Sequence, residues 1–541
     1  MDNAPIFDAL SYAWGDDIVA EPIIVNGEAV FVTRNLYKGL QNFRHGDHAE
    51  YMWIDAICIN QRDFAERSHQ VTLMRDLFSM ARVVHVWLGP STPSTERTLY
   101  VLDRAGRRLS PDFENADLLP AEINSVSTEA FESIFTNPWW DRLWVVQEVV
   151  LAKEPIAYFG SDLFIHFSRL LMGILACFRL RDQISAELTL PWYMMQLALK
   201  FSAPMTAKTS ERPHMKLIPD LLAAVRDSKV SVRHDRIYGL LGLLPVQLAI
   251  EPDYGRRLEH VFTEFTLRVI WHERSLDVLA LRGLHGPSDL ALPSWVPSYG
   301  DPTPYLFRGT SGFDASKALA SHPQLGFPND VANYVGSRVL SVWAHELGTI
   351  SFAISAVPEE LSTTLAEDKK DRAQIDKLQQ QACECIVKLK QTLSPSTTVL
   401  ETAGIMWSAL VGATELSDRN DSATSTFHTW LFLRGEEKYE HKYRTVFQTL
   451  LAAKLCPLFS ASDSSFVGIV SGDAMVGDRL VILAGASTPC VLRRKNRGRF
   501  QYVGHTYCIG AMRGETISAA ALKLNGDENN LNDIFSKVEL I

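Results

Sequence analysis

The stretch WIDAICINQRDFAERSHQV, Trp53–Val71, decides how the first part of the chain folds. Its opening half is apolar with almost no polar alternation, as expected of a strand covered on both faces, so YMWIDAICI is read as one strand. The run carries an acid, Asp55, and closes on Asn60-Gln61. Asp63 and Glu66 then have the spacing of a capping box. Val71, Met74, Leu77, Phe78 and Ala81 recur at helical intervals behind it. VVHVWLG, ended by Gly89-Pro90, is a second buried strand. Strand, helix and strand at these lengths make a βαβ unit and point to a parallel sheet with helices on its faces.

Upstream, FDALSY is a short strand that runs into AWGDD. IIVNGEAVFV holds two β-rich runs joined by Asn26-Gly27, a strong hairpin signal. Asn35 is expected to cap a helix bearing Leu36, Leu40 and Phe43. Downstream, WWDRLWVVQEVVLAK follows Pro138 and reads as one helix of about four turns. This α/β region is expected over residues 1–155. A mainly helical region is expected over 156–430. It includes RHDRIYGLLGLLP, with Asp235 as a helix cap, and an apolar face of Leu258, Val261, Phe262, Phe265 and Val269. A charged helix over 360–392 turns Ile375, Leu378, Ala382, Ile386 and Leu389 inward. The polar run from Leu416 to Thr426 reads as a mobile loop. Over 431–541 the pattern changes to short β runs (FVGIV, RLVILAG, CVLRR, FQYVG and TYCIG), a small antiparallel sheet or barrel.

Composition narrows the function classes. A chain of 541 residues is too long for one core. Its 46% hydrophobic and 21% charged residues are ordinary for globular protein. A net charge of −10 argues against a dedicated nucleic-acid binder, and the basic strip Arg493–Arg497 reads as a solvated hairpin end. MDNAPIFDAL has no basic start followed by an apolar run, so no secretory leader is expected. The greasiest stretch, YGLLGLLPVQLAI, is broken by Pro245 and too short to span a membrane. The seven cysteines show no CxxC or zinc-type spacing. Reduced thiols, a cytoplasmic location and no metal site are therefore expected, with Cys58 as inert core. No P-loop, GxSxG elbow or HExxH is present.

The polar residues at strand ends are the candidate site. Asp55 and Asn60 flank the C-terminal end of an expected parallel strand, where open α/β sheets place their ligands. Asn60 and Gln61 suit hydrogen bonds to a ribose or an amide; equally, Asn60 suits a turn while Asp63 and Glu66 cap a helix. Tyr12, Trp14, Gly15 and Asp16 form the loop after the first strand, which suits either nucleotide binding or a packing anchor. Glu148 shares a helical face with Asp141, Trp144, Leu151 and Ala152, while Arg142 and Lys153 point elsewhere by helical phase. A carboxylate among apolar side chains has its ionised form disfavoured unless paired; its bland role is an ion pair that locks a helix to a loop. Arg233 and Arg236, around Asp235, suit phosphates or an inter-element salt bridge.

Taken in order, FDALSYAWGD, IIVNG, NLYKGL, WIDAICINQRDFAERSHQVTLM, ARVVHVWLG and RLWVVQEVVLA resemble the motifs of the fungal heterokaryon-incompatibility (HET) domain family, over about residues 7–152. Weaker family-like blocks follow at RHDRIYGLLGL, PDYGRRLEHVF, LPSWVP and GDRLVILAGASTPCVLRR. AYFGSDLFIHF departs from the family, with Phe159 and His166 where Cys and Trp are common. The resemblance implies a role in non-self recognition and programmed cell death, with a partner incompatibility protein. The HET domain is similar in turn to the TIR domain, a parallel α/β fold, and several TIR proteins cleave the nicotinamide–ribose bond of NAD with one helical glutamate. Trp144 and Glu148 have the TIR spacing of Trp and Glu, which implies Glu148 as the catalytic carboxylate and NAD or a related nucleotide as substrate rather than cofactor. It also implies self-association. The alternatives are a non-enzymatic signalling or scaffold module, and a HET fold recruited to another small-molecule reaction.

Overall fold

The computed structural model describes residues 5–15, 20–44, 50–108, 131, 134, 136–160, 162–180, 217–226, 228–282, 290–300, 313–316, 337–355, 372–413, 457–461, 466–470, 473–523 and 534–541. The chain divides into two units, Met1–Arg212 with Asp227–Arg256, and Pro213–Arg226 with Arg257–Ile541. These breaks fall at other places than the residue 155 and 430 boundaries read from the sequence.

In the first unit the described elements run β1 (Asp8–Tyr12), β2 (Ala20–Val25), β3 (Glu28–Thr33), α1 (Arg34–Asn42), β4 (Met52–Trp53), α2 (Asp55–Cys58) and α3 (Phe64–Met80). They continue with β5 (Val84–Trp87), α4 (Pro93–Arg108), α5 (Trp144–Val150), β6 (Pro155–Tyr158), β7 (Phe164–His166) and α6 (Phe167–Leu180). The sheet has the order β4-β1-β5-β6-β7. The first three pairings are parallel, with Ala9 opposite both Trp53 and Val84, and Val84 opposite Pro155. β7 is antiparallel to β6, so the sheet is mixed rather than wholly parallel. The divergent stretch AYFGSDLFIHF forms this β6–β7 hairpin. Its turn closes with Phe159 N–H donating to Leu163 O, and a connection that short cannot cross over to make a parallel pair.

Several local expectations are corrected. YMWIDAICI is not one strand: β4 ends at Trp53 and a single helical turn follows. The cause is local competition for the backbone. Ile54 O accepts from Ile57 and Cys58 N–H, and Asp55 Oδ1 accepts from Ala56 N–H at 2.7 Å. Cys58 is consequently exposed, not core. WWDRLWVVQEVVLAK gives only the two-turn α5, because the Asn137 side chain takes Trp139 N–H at 2.9 Å and sets a series of turns ahead of it. The cap of α1 is Thr33, whose side chain accepts from Leu36 N–H; Asn35 lies beyond the cap and instead joins Ala13 O to the Trp87 indole.

Other expectations hold in detail. Asn26 and Gly27 take φ of 55° and 87°, the left-handed pair that a two-residue hairpin turn demands. One face of that hairpin packs Val32 with Leu36, Leu10, Tyr12, Ile54 and Trp87. Val71, Met74, Leu77 and Phe78 are the buried stripe of α3. α4 and α6 cross at backbone distance. A Cβ on Gly106 would lie 2.2 Å from Arg169 O, and one on Gly173 would lie 2.2 Å from Leu102 O. Only glycine permits that approach.

The second unit begins with α7 (Leu217–Val225) and α8 (Leu258–Glu273), which buries Val261, Phe262, Phe265 and Val269 as expected. Next come β8 (Leu340–Ser355), α9 (Arg372–Thr392), α10 (Val399–Ala413), β9 (Pro457–Ala461), β10 (Val467–Val470), β11 (Arg479–Leu483), β12 (Cys490–Arg494), β13 (Phe500–Cys508), α11 (Glu515–Lys523) and β14 (Ser536–Leu540). The sheet order is β10-β9-β8-β11-β12-β13-β14, and the added β10–β13 and β8–β14 pairings close it into a barrel. FQYVG and TYCIG merge into the single strand β13. The region expected to be mainly helical also supplies β8, the longest strand of the barrel. α9 buries Ala382, Ile386 and Leu389. The run from Leu416 to Thr426 lies outside the described residues. At the β12–β13 turn Arg493 pairs with the buried Asp478 at 2.8 Å, while Arg494, Lys495 and Arg497 are exposed, as a solvated hairpin end requires. Among the described residues no helix is long and apolar enough to cross a membrane.

Candidate functional site

β1 and β4 run parallel, so their C-terminal ends open on the same edge of the sheet, and the residues just beyond them meet there. Ser11 and Tyr12 end β1, while Asp55 comes two residues after the end of β4. Alternation along β1 turns Leu10 and Tyr12 into the cluster beneath the hairpin and turns Ser11 the other way. On that other side Ser11 Oγ donates to Glu148 Oε2, and Trp139 Nε1 donates to Ser11 Oγ at 2.8 Å. Trp139 and Trp140 are wholly buried and edge-to-face at 4.9 Å, so the turn that carries them is rigidly seated.

Glu148 is 4% exposed. Burial pushes its carboxyl up to about 7, a rise moderated by Arg142 and the Ser11 hydrogen bond and reinforced by Asp55. Arg142 does not follow the phase of a long helix, because it sits in the turn before α5. Its guanidinium donates to Tyr12 O and lies 4.0 Å from Asp55. The Tyr12 phenol is raised well above its usual value, by burial first and then by Asp55. Trp14, 37% exposed, donates its indole N–H to Asp55 Oδ2 at 2.8 Å. Gly15 takes φ of 78° and carries the chain away from the strand end; Asp16 lies outside the described residues.

The polar run after Asp55 has a supporting role. Gln61 Nε2 donates to Asp55 O at 3.3 Å. Asn60 N–H donates to Glu66 Oε1 at 2.9 Å, and Asn60 Oδ1 accepts from Arg62 N–H at 3.2 Å. Asp63 caps α3 through Ala65 and Glu66 N–H, so the capping half of the expected box is present. Asn60, Gln61 and Glu66 thus shape the turn that holds Asp55.

Trp144 is drawn to a different cluster. Its indole N–H donates to Asp235 Oδ2 at 3.2 Å, and Asp235 also accepts from Tyr254 OH at 2.6 Å. Arg67 lies 3.6 Å from Asp235 and stacks 3.8 Å from the centre of the Tyr254 ring. Burial raises the Asp235 carboxyl, while Tyr254, Arg67 and Trp144 stabilise its charge. Backbone pairing of Leu143 and Asp141 with Lys229 completes the bracket around α5. The expected cap role of Asp235 is therefore replaced by that of a buried anchor.

The structure brings together Glu148, Tyr12, Trp14 and Asp55 among the expected residues, and adds Ser11, Trp139 and Arg142. Ser11 had one signal in the sequence, a hydroxyl in an otherwise apolar strand end. Trp139 and Arg142 had none that separates them from core and surface. Chemically, the group is a desolvated carboxylate graded through a guanidinium and a second carboxylate to a half-open indole. No set of three or more metal-ligating side chains occurs among the described residues.

The family model for heterokaryon incompatibility protein (HET) matches residues 7–148, the segment that ends on Glu148. Over that segment the chain is similar to the HET domain family. It is 28% identical over 365 residues to heterokaryon incompatibility protein 6, OR allele, of Neurospora crassa. That alignment covers 54% of this chain and 53% of the relative, so the chain spans about half the length of the curated relative it matches. No solved structure matches.

Proposed function

We propose that this chain is a self/non-self recognition effector of the incompatibility type, whose HET domain hydrolyses NAD or a related nucleotide at the nicotinamide–ribose bond with Glu148 as the catalytic carboxylate. The observation that carries the reading is the hydrogen bond between Glu148 and Ser11 at the C-terminal end of β1, which runs parallel to β4, at the edge that open α/β sheets give to nucleotides. The TIR-like character of the fold is part of the same proposal, as is cell death as its outcome.

In this reaction the C1′–N bond breaks with both electrons passing to the nicotinamide ring, which leaves neutral. Positive charge develops on the ribose, and a buried carboxylate stabilises it more than a solvated one would. A water oxygen then bonds to C1′, and its proton passes through Glu148 to solvent. The products are nicotinamide, ADP-ribose and a proton. Trp14 offers the exposed ring for stacking, and Arg142 offers the cation for a phosphate.

The second reading, a HET domain that recruits partners without chemistry, is favoured by the small exposure of Glu148. Concentrated full-length protein incubated with NAD distinguishes them. The expected result is nicotinamide release that falls ~10²-fold or more in Glu148→Gln. Absence of nicotinamide in every assembly state, or full release by the variant, removes the enzymatic reading.

A further inference from the structure

We propose that Ser11 is the positioning residue of this site, fixing which oxygen of Glu148 can take a proton or meet a substrate. The inference rests on Glu148 being the acting carboxylate, but its geometry stands independently. An indole N–H donates and never accepts. With Trp139 Nε1 directed at Ser11 Oγ, the serine receives that hydrogen bond and its own single proton points along its other contact, to Glu148 Oε2. The direction of the chain Trp139 to Ser11 to Glu148 is therefore locked.

Two consequences follow for Glu148. Oε2 is held as an acceptor, so a proton on the carboxyl resides on Oε1, which takes no hydrogen bond from any described residue. The locked donor also favours the ionised form, opposing the desolvation of a side chain that is almost wholly buried. The other charged or titratable groups near it are Arg142 from the preceding turn, Asp55 from α2 and Tyr12 from β1. None of them donates a hydrogen bond to the Glu148 carboxylate. Ser11 thus sets both the orientation of the carboxylate and the pH at which it carries charge, acting through Glu148 without reaching a substrate.

The test is a ¹³C-carboxyl NMR titration of the full chain labelled in glutamate, with the Glu148 signal assigned by its loss in Glu148→Gln. Ser11→Ala is expected to move the Glu148 midpoint upward by on the order of one pH unit, about a tenfold gain in proton affinity. Ser11→Thr, which keeps the hydroxyl, returns it toward the wild-type value. Trp139→Phe unlocks the serine and gives a smaller upward shift. If nicotinamide release occurs, the rising limb of its pH profile moves with the NMR midpoint. A Ser11→Ala midpoint equal to the wild type overturns the proposal. An upward shift without any nicotinamide release supports it and removes only the assigned reaction.

Discussion

Glu148 is expected to destabilise the fold it serves, and by an amount that depends on pH. In the folded chain its carboxyl is pushed from an ordinary 4.5 up to about 7. Between those values the folded state keeps a proton that the unfolded state has released, so stability falls as pH rises across that window. Each unit of difference is worth about 1.4 kcal/mol, and the whole shift therefore amounts to about 3 kcal/mol. With the residue almost fully buried, solvent screening takes little from that figure. Glu148→Gln keeps the shape and still accepts the Ser11 proton, but does not titrate. The variant should match the wild type below pH 4.5 and exceed it by about 3 kcal/mol above pH 7. Hydrogen exchange of the β1 and α5 amides, corrected for the intrinsic pH dependence of exchange, reads the local opening energy directly. A difference between the two proteins that stays flat with pH refutes the reasoning, because Glu148 would then titrate alike in the folded and unfolded chain.

Two further outcomes concern the frame around the site. Asp235→Ala strips the partners from Arg67, Tyr254 and the Trp144 indole, so α3 and α5 should lose ~3–5 kcal/mol of exchange protection, with Asp235→Asn losing less. Gly173→Ala places a methyl against the Leu102 carbonyl and should lower the thermal midpoint, through an overpacking cost of ~1–3 kcal/mol, whereas alanine at the open Gly404, inside α10, should raise it slightly through the ~0.5–1 kcal/mol helix-propensity gain.

Local patterns carried the parts of this protein that nearest neighbours decide. The Asn26-Gly27 turn, the α3 stripe and the α8 face were legible because backbone conformation and helical phase are properties of a few adjacent residues. The six ordered motif blocks carried the resemblance to the HET family for the same reason. Tertiary structure decided what those residues meet. Ser11 and Glu148 lie 137 positions apart, and Trp144 and Asp235 lie 91 apart. No local periodicity encodes either pairing. Asp55 shows the division most clearly. Its apolar surroundings read as strand, yet its own side chain captures the next amide and turns the backbone, and the parallel register of β1 with β4 then sets that turn beside Arg142 and Trp14. The carboxylate's chemistry was written in one letter; the burial and the donors that tune it exist only once the chain has closed around it.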